Sequence, residues 1–233
     1  MNDDMRISRS VLADQVKDRL LQDILAGVYP PDSRIVETRV ARELGTSQAP
    51  VREALRGLEA IGVVEITPFR GARVRRPTKK ELLEAYEVRA ELESLGARLA
   101  VPQLTDAALD DLVGLGDEMQ AAARAGDRHA VAVADAAFHA RILDIAGNAT
   151  LAAVWRSLEP FSRTYITLIT PGADPAWTAS LHAPIIEALR ERDPEQVAAA
   201  LHEHFRRARA RLDASLDDPA AGLPASTWVV SPG

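Results

Sequence analysis

The sequence predicts a mainly α protein: an N-terminal winged helix-turn-helix, three helices plus a β-hairpin wing, joined to a C-terminal antiparallel bundle of about six helices. Three observations carry that expectation. Ala and Leu dominate over Val, Ile and Tyr, and aromatics make up only 4% of 233 residues, a composition that favours helix over sheet. The first 76 residues read helix, helix, helix, strand, turn, strand, the chain order of a winged helix-turn-helix. After Pro77 the patterning is helical throughout.

Taken in order, residues 10–26 form the first predicted helix, because Val11, Val16, Leu20, Leu21, Ile24 and Leu25 fall near one stripe. Gly27 ends it, and Tyr29-Pro30-Pro31-Asp32 is a turn. A short helix follows over 37–43, closed by Leu44-Gly45. The next runs from Gln48 to about Ile61, with Ser47 as its N-cap and Pro50 in its first turn. Residues 63–66 and 72–75 read as two strands around a tip at 67–71. Thr78-Lys79-Lys80-Glu81 is a capping box that opens a helix to about residue 100. Further helices are predicted over 105–125, 128–146, 150–169, 177–191 and from Asp193-Pro194 to 212, the one over 150–169 bent near Pro160. The expected division is 1–76 for the first domain and 77–213 for the bundle, with 214–233, rich in Pro, Ala, Gly and Ser, a flexible tail.

Composition narrows the function classes. The chain has no cysteine, which removes disulfides, thiolate metal sites and cysteine nucleophiles. The first ten residues carry no apolar signal region, and no apolar run approaches the roughly 20 residues a membrane span needs. A cytoplasmic protein without membrane partners is expected. The net charge of −6 is divided unevenly: residues 1–80 hold 15 Lys and Arg against 11 Asp and Glu, and residues 81–233 hold 13 against 23. Only the first part is suited to a polyanion.

The helix after Thr46-Ser47 supplies the reading chemistry. With Val51, Leu55 and Leu58 turned to the core, Gln48, Ala49, Arg52 and Arg56 share another face. Such a helix fits the major groove, where Arg can bond guanine and Gln adenine. Ser47 and Thr38 suit phosphate contacts, and Arg70-Gly71 at the wing tip can reach a phosphate or the minor groove. The predicted DNA-contacting set is Thr38, Ser47, Gln48, Ala49, Pro50, Arg52, Arg56, Arg70 and Gly71. The competing reading pairs Arg52 and Arg56 with Glu53 or Glu59 on the helix surface.

Five histidines lie in the helical part: His129, His139, His182, His202 and His204. Asp135 and His139 are four apart and share a helix face. His182 is expected early in the helix over 177–191, and His204 within the last. One carboxylate and three imidazoles could therefore meet, a set suited to Zn, Ni, Mn or Fe. A hydrogen-bonded polar cluster without metal satisfies the same spacing. His202, two residues from His204, must point elsewhere, and His129, at a helix start, is expected exposed.

The words Pro50-Val51-Arg52-Glu53-Ala54-Leu55, Leu58-Glu59, Gly62-Val63-Val64 and Arg70-Gly71-Ala72-Arg73-Val74 resemble the GntR family of bacterial regulators. That family often has Arg-Thr where this chain has Gln48-Ala49. The helical part resembles the ligand-binding domain of the FadR-type branch, the FCD class, through Asp135-Ala136-Ala137-Phe138-His139, Gly147-Asn148, His182, Ile185, Ala188, Leu189, Asp193 and His204. The resemblance implies a divalent metal held by Asp135, His139, His182 and His204, and an arginine on the first bundle helix, Arg89, that faces the effector; surface pairing of Arg89 with Glu84, Glu87 or Glu93 is the alternative. Arg163 and Tyr165 are further candidates for the pocket wall, and Trp155 is assigned to the core. The function implied is a homodimeric repressor that binds a palindromic operator in double-stranded DNA and senses a small organic acid, whose carboxylate or hydroxyl completes the metal's coordination. A purely structural metal, a metal-free effector pocket and a metal-dependent enzyme are the rival readings.

Overall fold

The computed structural model describes residues 4–68, 70–168 and 174–216, and among these the side chains of 12–68, 70–158 and 174–214. The N-terminal elements are α1 (Asp4–Leu25), β1 (Arg34–Ile35), α2 (Glu37–Glu43), α3 (Gln48–Ala60), β2 (Val64–Thr67) and β3 (Gly71–Val74). Val16, Leu20 and Ile24 of α1 bury against Val51, Leu55 and Leu58 of α3 and against Val64 and Val74 of the wing. α1 begins before the predicted residue 10 because 4–9 holds no helix breaker, while the apolar stripe starts only at Val11.

The wing has three strands where the hairpin reading expected two. Their order is β1-β3-β2, all antiparallel, with Ile66 opposite Ala72 and Ile35 opposite the same residue from the other side. Two residues, Arg34 and Ile35, cannot show a period-two pattern, so β1 was invisible in the sequence. Gly71 starts β3 at φ +82, a conformation that L residues with side chains rarely adopt.

The remaining helices are α4 (Lys79–Ala100), α5 (Asp106–Arg124), α6 (Arg128–Ala146), α7 (Ala149–Leu168), α8 (Pro175–Ser180), α9 (Ala183–Glu191) and α10 (Pro194–Leu216). The capping box at the head of α4 is formed in both directions: Glu81 N donates to Thr78 Oγ1 at 3.2 Å and Thr78 N donates to Glu81 Oε2 at 2.8 Å. Asp193 caps α10 through the backbone N–H groups of Glu195 and Gln196. The single helix expected over 177–191 is two. Pro184 has no N–H and its ring would meet the carbonyl of Ser180, so the chain breaks at Leu181 and restarts with His182 as N-cap. The tail expected to be flexible lies, from residue 217 onward, outside the described residues.

α4 is the axis of this part and packs against α6, α7 and α10. Gly96 permits the approach of α6: a Cβ there would collide with Leu143 Cδ2. The core runs through Leu82, Tyr86, Leu112, Met119, Phe138, Ile142, Ile185, Leu201 and Phe205. Two contacts bracket the passage from wing to bundle: Arg75 pairs with Glu81 in the first turn of α4, and Arg76 Nε meets Asp32 Oδ2 at 2.5 Å. α1 also touches α7. No helix among the described residues is long and apolar enough to cross a membrane.

Candidate DNA-reading surface and metal centre

α3 presents the residues that its periodicity predicted. Gln48, Ala49, Arg52 and Arg56 are exposed, as are Ser47 and Thr38 beside them. Pro50 is not on that surface: it is buried with Val51, Ala54, Leu55 and Leu58, and it shapes the first turn rather than offering a contact. Ser47 holds the N-cap position with extended backbone but makes no side-chain cap bond. Arg70 is exposed at the wing tip, where its N–H closes the turn onto the Thr67 carbonyl at 3.0 Å, and Gly71 follows it half-buried.

Arg52 is paired, but with neither Glu53 nor Glu59. Its Nε donates to Glu37 Oε2 at 2.6 Å and its Nη2 to Gln48 Oε1 at 3.1 Å. Glu59 instead accepts from the backbone N–H of Ile66 at 3.0 Å and ties α3 to the wing. Glu37 and Arg34 are the neighbours that sequence reasoning missed. The Arg34 guanidinium reaches the space beside Gly71, and Arg73 is its register partner; the cue was Arg34 within the short run before α2.

The second constellation lies inside the bundle. Asp135 and His139 come from adjacent turns of α6, His182 from the break before α9, and His204 from the middle of α10. One ligand atom from each lies within 4.8 Å of all the others. The three histidines are 1–6% exposed and Asp135 is partly exposed. His129 and His202 are exposed, as expected.

The tautomers follow from the partners. His182 Nδ1 faces the Thr178 carbonyl at 3.2 Å, and His139 Nδ1 lies in direct contact with Glu93 Oε2. A carbonyl and a carboxylate only accept, so each Nδ1 carries a proton and each Nε2 is turned toward the centre. Those two Nε2 atoms are 3.3 Å apart, and Asp135 Oδ1 stands 3.2 Å from the His182 one. Two ring nitrogens and a carboxylate oxygen therefore converge on one point, and the buried His204 Nδ1 has no hydrogen-bond partner. The donor set fits a divalent ion.

The electrostatics agree. Burial, with His182 and His139 beside it, pushes the His204 imidazole well below its ordinary value against the pull of Asp135, so it is a neutral donor. Burial alone would raise the Asp135 carboxyl; the His182 hydrogen bond and the three imidazoles hold it below the ordinary carboxylate range. Phe138 closes one side, with its ring edge-on to His182 at 5.2 Å.

Arg89 does pair with Glu93, but the pair is buried in the bundle and not on the surface, where the alternative reading put it. Its Nε and Nη2 donate to Glu93 Oε1 at 3.0 and 2.8 Å, and its guanidinium lies 4.9 Å over the Phe205 ring. Trp155, in the core as expected, donates Nε1–H to Glu93 Oε1 at 2.6 Å. Glu93 was weighed in the sequence only as a surface partner. The Arg-Glu spacing of four on a stripe with Ala85, Ala90 and Ala97 was the available signal for an inward pair. The side chains of Arg163 and Tyr165 lie outside the described residues.

Comparison with known proteins agrees with both parts. Residues 12–74 match the family model of the bacterial regulatory proteins, gntR family, and residues 84–207 match the FCD domain. The chain is 35% identical over 199 residues to the "Probable D-xylose utilization operon transcriptional repressor" of Paenarthrobacter nicotinovorans, spanning 85% of this chain and 88% of that one. It is 24% identical over 205 residues to the gluconate operon transcriptional repressor of Bacillus licheniformis, spanning 85% and 84%. The solved structure of McbR/YncC from E. coli superimposes with a TM-score of 0.79 at 25% identity, covering 88% of this chain and 99% of that one. The chain is therefore a DNA-binding transcription regulator, not an enzyme, and belongs to the GntR family with an FCD domain.

Proposed function

We propose that this regulator is a metabolite-responsive repressor that binds a palindromic operator as a homodimer and senses a small organic acid beside a divalent metal ion. Residues 1–76 would form the reading domain and 77–213 the sensing domain. The observation that carries the sensing half is the convergence of four ligand atoms, with the Nε2 atoms of His139 and His182 3.3 Å apart and Asp135 and His204 beside them. When held there, a divalent ion supplies positive charge and coordination positions for an anionic oxygen. The only partly exposed member, Asp135, marks the side from which such an oxygen arrives.

For DNA, Arg52, Arg56, Gln48 and Ala49 would face base edges in the major groove. Thr38, Ser47 and the wing residues Arg70 and Gly71 would fix register on the backbone. Val88 and Leu95, seven apart on α4 and exposed, are apolar residues that a second copy would cover. The relatives named for xylose and gluconate operons support a role in carbohydrate catabolism. A coupling of about 1–3 kcal/mol between acid and operator suffices for regulation. The direct test is a mobility shift with the intergenic DNA beside its own gene. A retarded complex that Arg52→Ala weakens is expected; no complex, or one indifferent to Arg52→Ala, contradicts the proposal.

A further inference from the structure

We infer that Glu93 makes the sensing centre selective for acids carrying one negative charge, by serving as the counter-ion of Arg89. The inference rests on the metal-centred reading above. Oε1 of Glu93 accepts from the Arg89 Nε and Nη2 and from Trp155 Nε1, and Oε2 lies against His139 Nδ1. Arg89 and Glu93 are 2% and 1% exposed. The guanidinium is held between the Phe205 ring at 4.9 Å and the Trp155 ring at 5.7 Å. An arginine fixed in this way is not an open fork for an arriving carboxylate.

The charge balance then decides the ligand class. Among the described residues, the buried ionised side chains in this part of the bundle are Arg89 and Glu93, with Asp135 at the edge of the centre. Arg89 and Glu93 cancel. Asp135 offsets half of a divalent ion, and one positive charge remains. A monocarboxylate neutralises it. A dicarboxylate brings one negative charge too many into a low-dielectric site, where an unpaired charge is expensive. Had Arg89 been free, the same centre would favour the dianion.

Glycolate and oxalate test this, because both chelate through two oxygens on two carbons and differ by one charge. Calorimetric titration of the full-length, zinc-loaded chain gives the ratio of oxalate to glycolate affinity, after elemental analysis confirms equal loading. Glu93→Gln is expected to raise that ratio about tenfold and Arg89→Met to lower it by about as much. The double variant, which removes both charges at similar volume and so folds without a buried orphan, is expected to keep the wild-type ratio. Single variants that leave the ratio unmoved, or a double variant that shifts it, overturn the inference. A chain that holds no metal overturns the metal-centred reading itself, whereas a loaded chain with an unmoved ratio overturns only the role of Glu93.

Discussion

Glu37 of α2 reaches across the turn to hold Arg52 of α3, Oε2 to Nε at 2.6 Å. The Arg52 side chain is 57% exposed, so the pair adds little stability. Its effect falls on what the guanidinium can touch. Arg52→Ala is expected to weaken operator binding by about 1–3 kcal/mol, the worth of a bidentate base contact. Glu37→Gln removes a negative charge beside the phosphates. Affinity for scrambled duplex should rise several-fold and the salt dependence should steepen, while the urea midpoint stays put. Fluorescence anisotropy with operator and scrambled duplexes at several salt concentrations reads both. Equal losses on both duplexes for Arg52→Ala would mean that it only contacts phosphate.

The cap of α4 sits where the wing passes into the bundle. Thr78→Ala is expected to cost about 1 kcal/mol in urea unfolding at neutral pH. The Thr78 backbone N–H, against the effect of partial burial and with help from the Thr78 hydroxyl and Arg75, holds the Glu81 carboxyl below its ordinary value of 4.5. A depressed carboxyl contributes stability above its unfolded pKa and loses it as pH falls through the folded one. Glu81→Gln should therefore narrow its gap to wild type as pH drops from 6 toward 3. A gap that widens on acidification contradicts this cap.

The close approach of α4 and α6 depends on Gly96. A methyl there meets Leu143 Cδ2, deep beside Trp155, and overpacking of this kind costs about 1–3 kcal/mol. Gly96→Ala should lower the thermal midpoint, whereas Gly114→Ala, where a Cβ meets nothing, should raise it slightly through helix propensity.

The sequence showed most clearly what is encoded locally. The α3 face, the capping box at Thr78 and the Asp193 cap depend on residues within one or two turns, and all stand where expected apart from Pro50 and the missing Ser47 cap bond. The histidine cluster was legible as a candidate, but its convergence is a tertiary fact that spacing alone could not supply. His182 lies in a break that Pro184 enforces, not within a helix. Glu93 was misjudged because its partners come from three elements: Arg89 is local, whereas Trp155 and His139 reach it only through the packing of α7 and α6 on α4. β1 escaped notice because two residues carry no period.

Metal removal tests the same reading through stability. On the metal-centred reading, exhaustive chelation takes a divalent ion from between His139, His182, His204 and Asp135. The thermal midpoint should then fall and recover on adding back a divalent ion, by an amount that grows with metal concentration. His202→Ala, at an exposed position, should leave this response intact.

Elemental analysis of the purified chain, alongside His182→Ala and Asp135→Asn, tests the metal-centred sensor most directly. One divalent transition metal per chain is expected in the wild type, with loss of most of it in both variants while circular dichroism stays helical. A wild-type chain that is folded, binds its operator and holds no metal even after incubation with zinc, nickel or manganese would contradict it.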